Sequence, residues 1–367
     1  MSTFKSNTLL RFSRFLHIVN LENGMVAFYN ALSQAVSYVS SDVGLAIQNI
    51  VKPFTLNDLF EMLRPAEKKD LRAFLKQLWM NKMLMEPKED EMVDVEELKR
   101  HLSQPDIAIM YLLVTDACNI ACGYCYFEGG IPEGYKFSLM TEEVARQNVD
   151  LFARVYARDL LNKEKEGPHI VFYGGEPLMN WPVVEATLKY IHKLIEKRIL
   201  PKNTQITLNT NGILITPEIA TVLIKYKVNI AISLDGPECL NDKMRFDHQG
   251  QGTFSRVMPV IQMLQKMGAN VGTCCTIDNH NIDQMEEVTR WMIEDMGFNS
   301  LGFNTLLEST ARPIPNAEQY GEKVAQKLVD CFQIARAHGV HEDRFMRKVK
   351  AFEKGDFFFA DCGGCGM

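Results

Sequence analysis

The apolar positions follow two regimes that meet near residue 88. Ahead of it lie two short apolar runs, Phe15–Val19 and Met25–Tyr29, separated by Glu22-Asn23-Gly24. Asn-Gly between apolar runs predicts a hairpin, because both residues tolerate positive φ. A third extended run, Ala35–Val39, follows. The period then lengthens to that of a helix, from Ser41 to about Val51, from Thr55 to Leu63 and from Pro65 to Trp79. Thr55 is a plausible N-cap, and Leu71, Phe74, Leu75 and Leu78 recur at spacings of three and four. Met83–Pro87 reads as a closing strand. These elements predict a small winged-helix-like α+β domain over residues 1–87. The stretch from Lys88 to Glu97 is acidic and lacks an apolar stripe, so residues 88–105 read as an acidic linker or a solvated helix.

From Asp106 the chain alternates strand and helix. Strand runs are Ile107–Val114, His169–Tyr173, Gln205–Leu208, Val228–Leu234, Asn270–Ile277 and Ser300–Leu307. Between them, Val144, Leu151, Phe152 and Val155 mark one helix face, and Leu188, Ile191 and Ile195 another. Thr216-Pro217 is a cap followed by proline at the first helical position. Val257, Ile261 and Leu264 lead to Gly268 as a terminator, and Asn281–Met296 supplies a fifth helix. Such alternation implies a parallel sheet with right-handed crossovers. Six units fall short of a closed eight-stranded barrel. They predict a partial (β/α)6 TIM-like barrel over residues 106–314, with active residues at the C-terminal ends of the strands. Residues 315–367 read as two helices, Asn316–His338 and His341–Lys354, and a tail.

Composition narrows the function. At 46% hydrophobic, 367 residues can build a large core. A net charge of −6 argues against a nucleic-acid partner held by phosphate contacts. No run of about 18 apolar residues predicts a membrane span, and Met1–Arg14 has no apolar signal region, so a cytoplasmic location is expected. In that setting nine cysteines read as metal or catalytic thiols rather than disulfides.

Three of these cysteines crowd into Cys118-Asn119-Ile120-Ala121-Cys122-Gly123-Tyr124-Cys125, directly after the first barrel strand. Four thiolates would saturate a [4Fe–4S] cluster. Three leave one iron open to chelate a small molecule through an amine and a carboxylate. The plainer readings are buried thiols clustered by chance, or a zinc site. Structural zinc wants four ligands, and the neighbourhood offers no fourth Cys or His. Tyr173-Gly174-Gly175-Glu176-Pro177 follows the second strand. Glycine lets a backbone approach a ligand closely and a carboxylate accepts from an ammonium group, although alone the stretch reads first as a tight turn. Asn209-Thr210-Asn211-Gly212 follows the third strand, where Asn and Gly equally favour a plain turn. Ser233-Leu234-Asp235-Gly236 follows the fourth, with Arg245 shortly after; the simpler role for Asp235 is to cap the next helix. Thr276–Asn281 follows the fifth strand as a weaker candidate to line a pocket. Cys274, Cys275 and Cys331 have apolar flanks, and such lone cysteines are usually just buried.

Cys118–Cys125, Gly174–Pro177, Ser233–Gly236 and Arg245 together resemble the radical S-adenosylmethionine (SAM) enzymes that carry a C-terminal SPASM extension, over roughly residues 106–310. Within them the chain is most similar to maturases that install thioether or carbon–carbon crosslinks in ribosomally made peptides. The resemblance implies a [4Fe–4S] cluster on Cys118, Cys122 and Cys125, and SAM cleaved reductively to a 5′-deoxyadenosyl radical. It implies SAM-binding positions at Tyr124, Gly174, Gly175, Glu176, Pro177, Asn209, Asn211, Ser233, Asp235 and Arg245. The Gly174–Pro177 motif would take the amino group, and Ser233 and Arg245 the carboxylate. Residues 1–87 look like the precursor-recognition domain of such maturases, the fold of the small pyrroloquinoline-quinone (PqqD-like) chaperone. That domain binds a leader peptide as an added strand, here around Met25–Val39. A generic DNA-binding winged helix is the other reading, but no basic recognition helix is apparent. Cys362-Gly363-Gly364-Cys365 resembles the opening of a SPASM domain, whose further cysteines bind auxiliary [4Fe–4S] clusters. The sequence ends two residues later, which implies a truncated SPASM start and an incomplete auxiliary site at Cys362 and Cys365. The implied partners are a precursor peptide held through its leader and an electron donor of flavodoxin or ferredoxin type. Two alternatives stand: a sulfatase-maturase-like oxidation of Ser or Cys in a protein, which the N-terminal domain argues against, and a catalytically incomplete peptide-binding scaffold.

Overall fold

A computed structural model describes residues 7–21, 24–48, 50, 52–62, 68–102, 107–125, 134–158, 167–308 and 313–354. The chain divides into two compact units, Met1–Gln104 with Arg347–Met367, and Pro105–Met346.

In the first unit, strands β2 (Leu16–Asn20), β3 (Met25–Asn30) and β4 (Val36–Ser40) form an antiparallel meander. Gly24 enters β3 with φ +74°, the left-handed backbone the hairpin needed; Glu22 and Asn23 lie outside the described residues. Helices α1 (Ser41–Gln48), α2 (Leu56–Met62) and α3 (Lys68–Met80) follow. Val26 and Phe28 of β3 pack with Ile47, Leu59, Leu75 and Leu78 in one apolar core. Each such side chain, fully buried, contributes about 1.5–3 kcal/mol. A short strand β1 (Arg11–Phe12), absent from the sequence reading, pairs antiparallel with β5 (Leu84–Met85). Two residues are too few to show a period. Where a linker or solvated helix was expected, α4 (Met92–Leu102) runs with Val93 66% exposed.

Just ahead of α4, Glu91 is only 3% exposed. Its carboxylate accepts from the Ser13 hydroxyl, from Arg11 Nη1 at 2.7 Å and from the Arg14 backbone N–H at 3.3 Å. Burial alone would push its pKa up, but these donors outweigh burial and hold it below the usual range. A depressed native pKa contributes stability in full above the unfolded glutamate value, about 4.3, and loses it as pH falls through the lower native value. Glu91→Gln is therefore expected to weaken hydrogen-exchange protection of β3 by about 1–3 kcal/mol at neutral pH. The gap to wild type should close in acid; a gap that persists at pH 2 would refute the assignment.

The second unit holds a parallel sheet of seven strands in strict sequence order: β6 (Ile109–Leu113), β7 (His169–Tyr173), β8 (Gln205–Thr210), β9 (Asn229–Ser233), β10 (Val271–Ile277), β11 (Ser300–Thr305) and β12 (His341–Glu342). Each intervening helix returns over one face. The sheet is an open, parallel, TIM-like partial barrel, as the alternation predicted. Leu112, Ile170, Phe172, Leu208 and Ile232 point outward into the core, against Val149 and Phe152 of α5 (Glu142–Arg158) and Val184, Leu188 and Ile191 of α6 (Trp181–Glu196). Residues of opposite parity, including Tyr111, Tyr173, Asn209, Ser233 and Cys274, lie outside that core cluster.

The seventh strand corrects the reading of a helix from His341. His341 and Glu342 pair in parallel with Ser300 and Leu301, and α12 starts only at Asp343. Glu342 accepts from the backbone N–H groups of Arg344 and Phe345, which gives that helix its start.

Candidate active site at the C-terminal ends of the strands

Beyond β6 the chain runs as the loop carrying Cys118, Cys122 and Cys125, and the loop after β7 is laid directly against it. Gly175 N–H donates to the Thr115 carbonyl at 2.9 Å, and Glu176 N–H to the Ala117 carbonyl at 2.8 Å. A Cβ on Gly174, at φ +146°, would lie 2.2 Å from the Thr115 oxygen; one on Gly175 would lie 2.2 Å from the Ala117 oxygen. The paired glycines thus permit a close approach between two backbones, where the sequence suggested an approach to a ligand.

Glu176 is 1% exposed and accepts three donors from the protein: Thr210 Oγ1 at 2.7 Å, Asn211 N–H at 2.8 Å and Leu178 N–H at 3.1 Å. Burial pushes its pKa up to about 7 against the pull of those donors. Its carboxylate ties the end of β7 to the end of β8, while Pro177 opens a buried turn of 3₁₀ helix, Pro177–Asn180.

Asn211 serves both a turn and the site. Its Oδ1 accepts from Ile213 N–H at 3.1 Å, and its Nδ2 donates to Asn119 at 2.8 Å and points at the Cys118 sulfur at 3.9 Å. Asn209 lies one step back on β8, half-buried and in register with Ala231. Ser233 ends β9 half-buried, opposite Cys274 on β10.

Asp235 does not cap the next helix. Helix α8 (Glu238–Met244) begins after Pro237, and Asp235, 1% exposed, turns toward the cysteine loop. Its carboxylate accepts from Arg245 Nε at 2.8 Å, Tyr124 OH at 2.5 Å and Thr276 N–H at 2.8 Å. Arg245, 7% exposed, lies over the Tyr124 ring at 5.4 Å and aims Nη1 at the Cys122 sulfur at 3.8 Å. The cysteine loop is further pinned from the end of α8 and the residues just after it: Gly123 N–H donates to Met244 O at 2.7 Å and Ala121 N–H to Phe246 O at 2.8 Å. His248 Nε2 sits 3.2 Å from the Cys118 carbonyl, a contact with no signal in the sequence. Farther round, Thr276, Asp278 and Asn281 are buried and bonded largely to one another, as in Asn281 Nδ2 to Thr276 O at 2.9 Å.

The donor set fits an iron–sulfur cluster. N–H groups are directed at two of the three sulfurs, the arrangement that stabilises ligating thiolates. Burial pushes the Cys118 thiol up to about 12. Among the described residues no three Cys, His, Asp or Glu side chains converge on one point as a single ion requires. Cys275 and Cys331, both 0% exposed, belong to the barrel core. Cys362 and Cys365 lie outside the described residues. No helix among the described residues is long and apolar enough to cross a membrane.

Residues 112–292 match the model of the radical SAM superfamily. The cofactors of such a domain are a [4Fe–4S] cluster and SAM. Among characterised relatives, the chain is 22% identical to the radical SAM cyclopropyl synthase TigE of Paramaledivibacter caminithermalis, over 78% of this chain and 62% of that protein. It is 24% identical to the cysteine-type anaerobic sulfatase-maturating enzyme of Clostridium perfringens, over 52% of this chain and 49% of that one. The fold matches native anSMEcpe with bound AdoMet and Cp18Cys peptide at a TM-score of 0.52 and 22% identity, covering 71% of this chain and 68% of that one. The chain thus spans 62% and 49% of these two relatives' lengths.

Proposed function

We propose that this protein is a radical SAM peptide maturase, which uses the cluster at Cys118, Cys122 and Cys125 to modify a ribosomally made precursor peptide by thioether or carbon–carbon crosslinking. When bound, the cluster and SAM supply a 5′-deoxyadenosyl radical that takes a hydrogen atom from the substrate. The chain's own part is to seat SAM along the C-terminal ends of β6 to β9 and to exclude water around it. Tyr124, Gly174–Pro177, Asn209, Asn211, Ser233, Asp235 and Arg245 are the residues we assign to that seat, some by contact and some, such as Glu176, by holding the loops. Cys362 and Cys365 are assigned, on sequence alone, to an auxiliary cluster.

One observation carries the peptide reading: a separate α+β unit built on a three-stranded meander, with β2 and β4 as its outer strands among the described residues, in the same chain as a match to the radical SAM model. A sheet edge offers unpaired N–H and C=O groups to an extended peptide. The peptide seen with anSMEcpe, and the relatives named as a cyclopropyl synthase and a sulfatase-maturating enzyme, support a peptide or protein substrate. The electron donor is assigned as a flavodoxin or ferredoxin.

The test pairs two measurements on the anaerobically reconstituted chain. One is 5′-deoxyadenosine formation with dithionite and SAM. The other is binding of the peptide encoded by a small reading frame adjoining this gene. Both should be positive, and binding should weaken when a proline replaces Tyr38, which is 60% exposed and lies at a β4 position whose N–H faces away from β3. Turnover of a sulfatase peptide with no binding of the neighbouring peptide would favour the sulfatase-maturase reading. Peptide binding without 5′-deoxyadenosine would leave a scaffold.

A further inference from the structure

The resemblance to radical SAM enzymes gives Arg245 to the carboxylate of SAM. Its surroundings give it a second task. The guanidinium is 7% exposed and held in a fork by Asp235, Nε to Oδ2 at 2.8 Å and Nη2 to Oδ1 at 3.3 Å. Asp235 is fixed by two more donors, Tyr124 OH at 2.5 Å and Thr276 N–H at 2.8 Å. The remaining nitrogen, Nη1, points at the Cys122 sulfur, 3.8 Å away. Tyr124 stacks beneath the guanidinium and sits between Cys122 and Cys125 in the chain. This ion pair is therefore built into the wall behind one cluster-binding sulfur, with no ligand needed to hold it there.

We propose that Arg245 is a positioning residue for the cluster, raising its reduction potential through the N–H and charge it directs at the Cys122 sulfur, and that Asp235 holds and moderates that charge. The proposal rests on the cluster reading of the cysteine loop. The physics is direct. Reduction adds an electron to the cluster and its thiolates, and a nearby positive charge or N–H donor stabilises the added charge. In a buried site that effect is only weakly screened. Asp235, one shell farther out, acts with the opposite sign.

The opposite signs make the test decisive. The full chain is reconstituted with iron and sulfide, and the cluster's midpoint is measured by dye-mediated titration with EPR detection, without SAM. Arg245→Gln removes the positive charge. At the wild-type midpoint it should lower the reduced-to-oxidised ratio at least tenfold, a shift of about 59 mV for one electron. Asp235→Asn should move the ratio the other way, and Arg245→Lys should return part of the loss. A role limited to supporting the loop would shift Arg245→Gln and Asp235→Asn in the same direction, and a role limited to SAM binding would shift neither. Either result overturns the proposal. If Arg245→Gln fails to hold a cluster, Asp235→Asn decides alone: a raised midpoint supports the proposal, and an unchanged or lowered one overturns it. A wild-type chain that takes up no iron would instead defeat the cluster reading beneath it.

Discussion

Replacing Cys118, Cys122 or Cys125 singly by Ala is expected to abolish 5′-deoxyadenosine formation, to below about one part in a thousand of wild type. The size follows from what a missing ligand does. A cubane with three protein thiolates already has one iron without a protein ligand, and a second such iron leaves the cluster exposed to loss or rearrangement. Cys275 and Cys331 are sealed in the core, and burial pushes both thiols up. The three positions should nevertheless differ in iron retained. Cys122 is itself buried at 8% exposure, whereas Cys118 and Cys125 are half-buried, so the Cys122 variant also leaves a cavity and a dangling Arg245 donor. Iron counting and 5′-deoxyadenosine assays on the three variants check this. Retained product in any one would remove that residue from the ligand set.

The second large effect is expected at Gly175, through its contact with the backbone of the cysteine loop. Gly175→Ala places a Cβ 2.2 Å from the Ala117 carbonyl and 2.7 Å from that of Asp116. These are backbone atoms and cannot swing away like the end of a side chain. The two loops must part, breaking Gly175 N–H to Thr115 O and Glu176 N–H to Ala117 O. We expect destabilisation of the barrel by about 3 kcal/mol and at least a tenfold loss of cluster occupancy. The control is Gly321→Ala. This glycine lies inside α11 (Ala317–Ala337) with open space around it. There alanine should stabilise by about 0.5–1 kcal/mol and leave iron content unchanged. Thermal unfolding and iron content on both proteins make the comparison. Normal cluster loading in Gly175→Ala would mean that the contact between the loops does not shape the cysteine site.

Much of this protein was legible in its sequence, for reasons that are local. The barrel follows from regular strand–helix alternation, since each period reports which face of an element meets the core. The cysteine loop was legible because three soft ligands at a spacing of four and three serve few purposes outside a cluster. The same locality explains the omissions. The pairs Arg11–Phe12 and His341–Glu342 become strands only because β5 and β11 present an edge to them, and two residues carry no period of their own. The division of labour at the strand ends was likewise beyond any one stretch of sequence. Gly174 and Gly175 serve an approach between two loops some 60 residues apart in the chain, Glu176 spends its carboxylate on Thr210 and Asn211, and Asp235 joins Arg245 and Tyr124 instead of capping α8. The sequence by itself determined most of the elements and their parallel order, and it supplied the spacing on which the cluster reading of the three thiols rests. Only the tertiary structure decided which polar side chains hold the site together, because a hydrogen-bond partner is chosen by distance in space once water has been excluded.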